Sequence, residues 1–447
     1  MNIETIYFLF VACALVAFIQ LRPDIAVLTV YLGGWLVLPV GNYPADQGAS
    51  VFPYWVTGLA VPSDMLVTKA WIGSVAAWIG VILFDRQAVR KLRFMPIDIF
   101  VFIWCAWPLL QGSFTLDAAS LSPVTSTLYL LGCWALPWFL GRTYFSSQEG
   151  LTILAQGVVV SGLLCLPVSL IEGFWGPSMY EALYGNHPFR FDGAERYIGY
   201  RPIAFFEHGT QFGLWVSMCA LLALWLAVSA PEALRRKYRW SALVLIAMAL
   251  AAQSVGGTVL LFSGVGFLWV SRRIRLGVVL AVVGLMGVVG QVVYMVGDLP
   301  VTRIAKGTPV GIKVVETFKS LGRGSLTWRI AQDQKLLPLA MKAPIAGFGT
   351  WDWWRSAGTR PWGLMLLVAG QFGLIGLAAV SGLLLWPVWR VAWANTRGSI
   401  SNGQGIPAMW ATVILLVVID AMLNSFIFFP AVVAAGALST MMMSAKG

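Results

Sequence analysis

The sequence predicts an all-α fold, a polytopic transmembrane helical bundle of about 12–13 spans, and three observations predict it. Hydrophobic residues make up 59% of the 447 positions and charged residues only 11%, against roughly 25% charged in a soluble domain. Apolar runs of about 15–22 residues recur along the whole chain, close to the length a helix needs to cross hydrocarbon. Arg and Lys are concentrated in four short segments separated by even numbers of apolar runs. The apolar runs are too long and uniform for barrel strands, and in lipid the backbone must satisfy its own polar groups, so helices are the reading.

The elements follow in chain order. Spans are expected at 6–21, 25–41 and 65–84, then the first basic segment, Arg86/Arg90/Lys91/Arg93. Spans at 97–112, 124–141, 151–171 and 210–229 lead to the second, Arg235/Arg236/Lys237/Arg239. Two shorter spans, 240–253 and 256–270, precede the third, Arg272/Arg273/Arg275, and spans 276–297 and 362–389 precede the fourth, Arg390/Arg397. Spans 406–422 and 425–443 close the chain. With the four basic segments cytoplasmic, the N-terminus lies outside, the C-terminus inside, and the segments 172–209 and 298–361 face away from the cytoplasm. Merging a terminal pair would give twelve spans. The stretch 1–20 has no basic residue before its apolar run and reads as a retained first helix. All of 1–447 forms one integral membrane domain, with no repeat.

The second external segment breaks the usual charge distribution. Between 298 and 361 lie Arg303, Lys306, Lys313, Lys319, Arg323, Arg329, Lys335, Lys342, Arg355 and Arg360, opposed by Asp298, Glu316, Asp333 and Asp352, so ten positives less four negatives leave +6. Loops longer than roughly 60 residues tolerate this, but the charge points to an anionic ligand at the outer face. Leu326, Ile330, Leu337 and Met341 recur at helical spacing with Arg329, Asp333 and Lys335 between them, which predicts an amphipathic helix over 326–342, stopped by Pro344. Glycines 370, 373 and 376 read as helix-packing positions.

Several function classes are excluded. The net charge of +11 is spread over loops with no basic tail, so no nucleic acid is expected. The five cysteines fall inside apolar spans without metal or disulfide spacing, and the two histidines, His187 and His208, form no metal cluster, so neither a metal nor a cofactor is expected. Transporters place polar groups near the bilayer midplane; here Lys69, Gln156 and Asp420 are the exceptions in otherwise apolar spans.

What remains is a constellation at the outer face. Arg196, Arg201, Glu207 and His208 precede the span at 210, Glu172 ends the span before them, and Arg329, Lys335 and Arg360 come from the second segment. A guanidinium fork matches phosphate oxygens bidentately and keeps its charge in a partly dry site. Glu207 or His208 is placed to take a proton from a hydroxyl. A diphosphate-linked lipid would need such donors at this depth.

RPIAFFEHGTQFG (201–213) and WRIAQDQKLLPLAMKAPIAGFG (328–349), followed by the span ending GQFGLIGL, resemble the O-antigen ligase/O-antigen (exopolysaccharide) polymerase superfamily of bacterial membrane glycosyltransferases. The resemblance implies a GT-C-like fold and metal-independent transfer at the periplasmic face of the inner membrane. It also implies that Arg201 and Arg329 contact the diphosphate of an undecaprenyl-linked oligosaccharide, with Arg360, Lys335 and Arg196 in support. The chain departs from the family pattern at Trp362–Gly363, where ligases carry a His–Asn pair, and at Ser254–Val255–Gly256, where Ser–Arg–Gly is common. The expectation is a polysaccharide polymerase that joins lipid-linked repeats to an acceptor glycan, with Glu207 or His208 as base. An O-antigen ligase acting on lipid A–core is the alternative, and a lipid-glycan flippase or transporter a remoter one. A chain-length regulator and a flippase are partner classes left open.

Overall fold

The computed structural model of the chain describes residues 3–40, 68–111, 123–185, 187, 195–196, 198–271, 273–296, 307–320, 325–394 and 405–444. Among them the structure is helical, apart from one isolated antiparallel bridge between Glu195 and Tyr200. The helices are α1 (Ile3–Gln20), α2 (Pro23–Val37), α3 (Lys69–Phe84), α4 (Arg86–Lys91), α5 (Ile99–Gln111), α6 (Pro123–Leu130), α7 (Leu136–Tyr144), α8 (Gln148–Leu164), α9 (Leu166–Trp175) and α10 (Met179–Tyr184). They continue with α11 (Gly209–Ser229), α12 (Glu232–Ala251), α13 (Val255–Val270), α14 (Leu276–Val296), α15 (Pro309–Ser320), α16 (Ser325–Ala340), α17 (Leu364–Trp393), α18 (Gly405–Ala421) and α19 (Pro430–Ser444). A π-helical stretch, Leu131–Ala135, joins α6 to α7.

Each expected span falls on one helix or one joined pair. Six of these are long and apolar enough to cross a membrane: Ile3–Gln20, Pro123–Tyr144, Gln148–Trp175, Gly209–Ser229, Leu276–Met295 and Leu364–Trp393. The chain thus has the build of a multi-pass membrane protein. On α14 the residues Val278, Val282, Leu285, Met286, Val289 and Val292 are all more than half or about half exposed. In water such a stripe would be a large apolar patch; against hydrocarbon it is an ordinary outer face. At the centre, α11 is buried along most of its length.

Helix direction puts two kinds of chemistry at opposite ends. The starts of α3, α11, α13 and α17 and the ends of α9, α14 and α18 meet at one end, as the bonds described below require. The basic segments lie at the other, where the backbones of Gly277 and Ala392 also meet. Three boundaries differ from expectation. Arg235, Arg236, Lys237 and Arg239 lie inside the first turns of α12 rather than in a loop. The last span starts at Pro430, not 425, because the chain between α18 and α19 is needed for the site. The segment 172–209 carries α10, and the segment 298–361 carries α15 as well as the expected helix, here α16. Arg303, Lys306 and Arg323, counted in the external charge, and Arg272 and Arg397, of the basic segments, lie outside the described residues.

The glycine run in α17 does more than pack. Gly373 adopts φ 67°, ψ −170°, a backbone region open essentially to glycine alone, and it breaks the helix. The turn 344–349 docks into the break. Phe348 N–H donates to Gly370 O (2.9 Å), Gly349 N–H to Gln371 O (2.9 Å), and Leu374 N–H to Pro344 O (2.8 Å). Gln111, at the end of α5, donates through Nε2 to both Ala346 O and Gln371 O, each at 2.6 Å. The helix break leaves carbonyls without intrahelical partners, and the turn and Gln111 satisfy them.

A side chain at 373 would meet the Ile345 carbonyl as well as the disallowed φ. Gly373→Ala is therefore expected to destabilise the protein by about 1–3 kcal/mol, whereas Gly287→Ala, where the added methyl has open space, should be nearly neutral. Thermal unfolding of the two variants in detergent compares them directly.

Candidate functional site at the end opposite the basic segments

The segment before α11 is held by two buried acids. Glu172, fully buried near the end of α9, accepts through Oε2 from Ile203 N–H (2.8 Å) and Ala204 N–H (2.7 Å). Ala204 sits at φ 50°, so this clamp fixes a left-handed turn that alanine would otherwise avoid. Glu207 lies 3.3 Å from Lys69 Nζ, both side chains wholly buried, and Lys69 also donates to Phe205 O at 2.6 Å. The Lys69 ammonium stands over the rings of Phe206 (5.1 Å) and Trp35 (5.5 Å). Burial raises the Glu207 carboxyl above its ordinary value while Lys69 pulls it back. Glu207 is thus engaged beneath the segment with Lys69 as its charge partner, and Glu172 is spent on the backbone. Both acids, Glu207 among them as the expected base, are thus committed to partners beneath the segment.

Arg201 is buried and reaches the turn between α12 and α13. Its Nε donates to Ala252 O (3.2 Å) and its terminal nitrogen to Thr210 Oγ1 (3.2 Å). In that turn Gln253 takes φ 46° and donates to Ile198 O at 2.9 Å, tying it back to the same segment. The turn can approach because α13 meets α11 through glycine: a Cβ at Gly257 would strike the Gly213 carbonyl. His208 caps α11, its Nδ1 accepting from Thr210 N–H at 3.0 Å, and its ring stacks on Phe426 (5.9 Å between centroids, 15°). Accepting at Nδ1 leaves the proton on Nε2.

Arg329, on α16, donates to Asn424 Oδ1 at 2.8 Å, and Asn424 Nδ2 donates to Asp420 Oδ1 at 2.7 Å. The second oxygen of Asp420, a buried residue at the end of α18, has no hydrogen-bond partner. The Arg329 and Arg360 guanidinium groups both lie on the Trp362 indole, 5.0 and 4.2 Å from its centroid. Such contacts strengthen as water is excluded. Asp333, one turn beyond Arg329, is buried and holds the start of α17: it accepts from Trp362 N–H (2.7 Å), Gly363 N–H (3.2 Å) and Tyr294 O–H (3.1 Å). Burial lifts its carboxyl from 3.8 to about 6 against the pull of those donors and Arg329. Leu364 N–H donates to Asn424 O at 3.1 Å, so the 422–429 stretch and the start of α17 are joined.

Four arginines, Arg201, Arg329, Arg360 and Arg196, lie close enough to His208 to act on its charge. Together with burial, the larger cause, they hold the imidazole well below its usual pKa and therefore neutral. Arg201 and Arg329 thus share one neighbourhood. Arg196 is half-buried there, its Nε without a partner, and its backbone N–H donates to Gly199 O (3.0 Å). Lys335 does not join them: it is exposed on α16 and its nearest polar partner is Gln332, at 3.5 Å on the same helix. The buried face of α16 is Ile330, Asp333, Leu336, Leu337 and Ala340, while Met341, expected on that face, is 39% exposed. A cavity of about 500 Å³ lies elsewhere, at the basic end.

No protein-family model matches the chain, and no curated protein matches it in sequence.

Sequence reasoning missed Asn424, Phe426 and the clamp by Asp333, and noted Asp420 as a polar exception in an apolar span without placing it at the site. The signal was present in VVIDAMLNSF, where Asp420 and Asn424 stand four apart in an apolar stretch, a costly placement that marks a site.

Two outcomes follow from the buried acids. Removing one partner of the Lys69–Glu207 pair leaves an uncompensated charge, so Glu207→Met should cost roughly 3–5 kcal/mol, and adding Lys69→Met should recover most of it; unfolding of both variants in detergent decides this. Because the folded Asp333 carboxyl titrates near 6 and the unfolded one near 3.8, the folded protein binds the extra proton in that window. Stability should then fall as pH rises from about 4 to about 6 and level off above, and Asp333→Asn should remove this share of the slope, as read from unfolding temperatures across pH.

Proposed function

We propose that the chain is a metal-independent membrane glycosyltransferase of the polysaccharide-polymerase type, working at the periplasmic face of a bacterial inner membrane. Its donor is a glycan on undecaprenyl diphosphate and its acceptor a sugar hydroxyl of a second glycan. The observation that carries this reading is the gathering of four arginines about one neutral histidine at the end of the bundle opposite the basic segments. The resemblance of 201–213 and 328–349 to the O-antigen ligase and polymerase superfamily supports it independently.

In the reaction, the acceptor oxygen forms a bond to the anomeric carbon as the bond from that carbon to the diphosphate breaks. Negative charge grows on the departing diphosphate, and preorganised guanidinium groups in a half-buried site stabilise it there. Arg329 and Arg360, spread on one indole, are the pair best disposed toward it. Arg201 contributes charge while its bonds to Ala252 and Thr210 hold the 198–208 segment to the α12–α13 turn. His208 presents Nε2–H, a donor, so it holds an oxygen rather than taking a proton. The acceptor's proton goes to a carboxylate, and Asp420 is the acid beside Arg329 with an oxygen unclaimed. Glu207 and Glu172 act as positioning residues.

Membranes carrying the chain and supplied with lipid-linked repeat units provide the test. Arg329→Ala and Arg201→Ala are each expected to lower chain extension about 10²–10³-fold, with Arg201→Lys partly active and Lys335→Ala close to wild type. Extension at the wild-type rate by both alanine variants would overturn the proposal, and transfer to supplied lipid A–core would instead assign a ligase.

A further inference from the structure

We propose that the cavity at the basic end of the bundle is a binding site for the phosphate-bearing headgroup of an anionic membrane lipid. The cavity, of about 500 Å³, is lined by Asp85, Lys91, Arg93, Arg142, Tyr144 and Thr440 among others. It forms where α3 turns into α4, where the chain returns toward α5, and where the ends of α7 and α19 meet. This site lies away from the arginine cluster, and its argument does not depend on the reading above.

The balance of charge decides what the cavity accepts. Arg142 is buried and already satisfied, donating to Asp98 Oδ2, to the Arg93 carbonyl and to Thr440 Oγ1 (3.1 Å). Asp98 is held in turn by Met95 N–H (2.7 Å) and Trp138 Nε1–H (3.1 Å), so this pair makes a neutral, rigid wall. Asp85 is the carboxylate in the lining, and both its oxygens are occupied: one accepts from Ala88 N–H (3.2 Å), the other from Tyr144 O–H (2.9 Å). Lys91 and Arg93 are exposed and have no ion-pair partner among the described residues. Lys91 and Arg93 therefore face a polar recess in which Asp85 offsets one of the two charges, and Arg86 and Arg90, on the short helix α4 with Lys91, add to the positive balance.

The surroundings of the mouth select a lipid over a soluble anion. Phe94, between the lining residues Arg93 and Met95, is 70% exposed, and its ring packs on Phe102 (5.5 Å) and Phe139 (5.9 Å). Leu83 and Phe84, just before α4, are also about half exposed. Cations in a recess between spans, bordered by an apolar surface long enough for an acyl chain, make the arrangement that holds anionic headgroups at the inner leaflet.

Native mass spectrometry of the full-length protein in detergent, titrated separately with phosphatidylglycerol, phosphatidylcholine and inorganic phosphate, tests this. Phosphatidylglycerol is expected to bind at least about ten-fold more tightly than phosphatidylcholine. Lys91→Ser/Arg93→Ser should weaken it by about 30-fold, roughly five-fold for each cation. Ala88→Trp fills the recess while keeping both charges and should abolish the preference; Arg236→Ser/Lys237→Ser, at another basic segment, should leave it intact. Equal binding of the two lipids, phosphatidylglycerol binding that survives Lys91→Ser/Arg93→Ser or Ala88→Trp, or inorganic phosphate binding as tightly as phosphatidylglycerol would each overturn the proposal.

Discussion

Mutual repulsion among guanidinium groups is the constraint on which the rest of this structure turns. Arg196, Arg201, Arg329 and Arg360 all act on His208, and with Arg201 buried and the other three half-buried, water screens them only in part. The protein engages them with neutral groups as well as with charge. Arg201 spends donors on a carbonyl and a hydroxyl, Arg329 is linked to Asp420 through Asn424, and two of the cations share one indole. The positive field they set up together is the property the proposed reaction uses.

That arrangement needs its backbone supports to be rigid, and buried carboxylates supply them. Glu172 fixes the turn at 203–204, and Glu207 with Lys69 fixes 205–207 from below. Asp333 ties α16 to the first residues of α17 and to Tyr294. Each acid is committed to the donors it serves, although Asp333 still feels the charge of Arg329.

Much of this was legible in the sequence and some was not, for definite reasons. Apolar length fixed the spans, and the even spacing of the four basic segments assigned the ends, because both depend only on local composition. Arg201, Arg329 and Arg360 stood out as charges beside long apolar runs. Lys69 and Glu207 could not be paired from sequence, since each alone has a local explanation, snorkelling for one and helix capping for the other. Asp333 read as part of a polar helix face; only the docking of two amides against it reveals why it is buried. Gly373 looked like a packing residue because positive φ leaves no trace in composition. The 425–429 stretch is as apolar as a helix, yet it is extended so that Asn424 and Phe426 can reach the site.

The break in α17 has a mechanical consequence for Arg329. Helix α16 is pinned at Asp333 to the start of α17, and the turn that follows it is plugged into the same helix ten residues further on. A beam fastened at two points along one neighbour cannot tilt without tearing one fastening loose. Arg329 therefore keeps a fixed standoff from α17, and any motion that opens or closes the cationic end must come from the partner wall, the segment bearing Arg201.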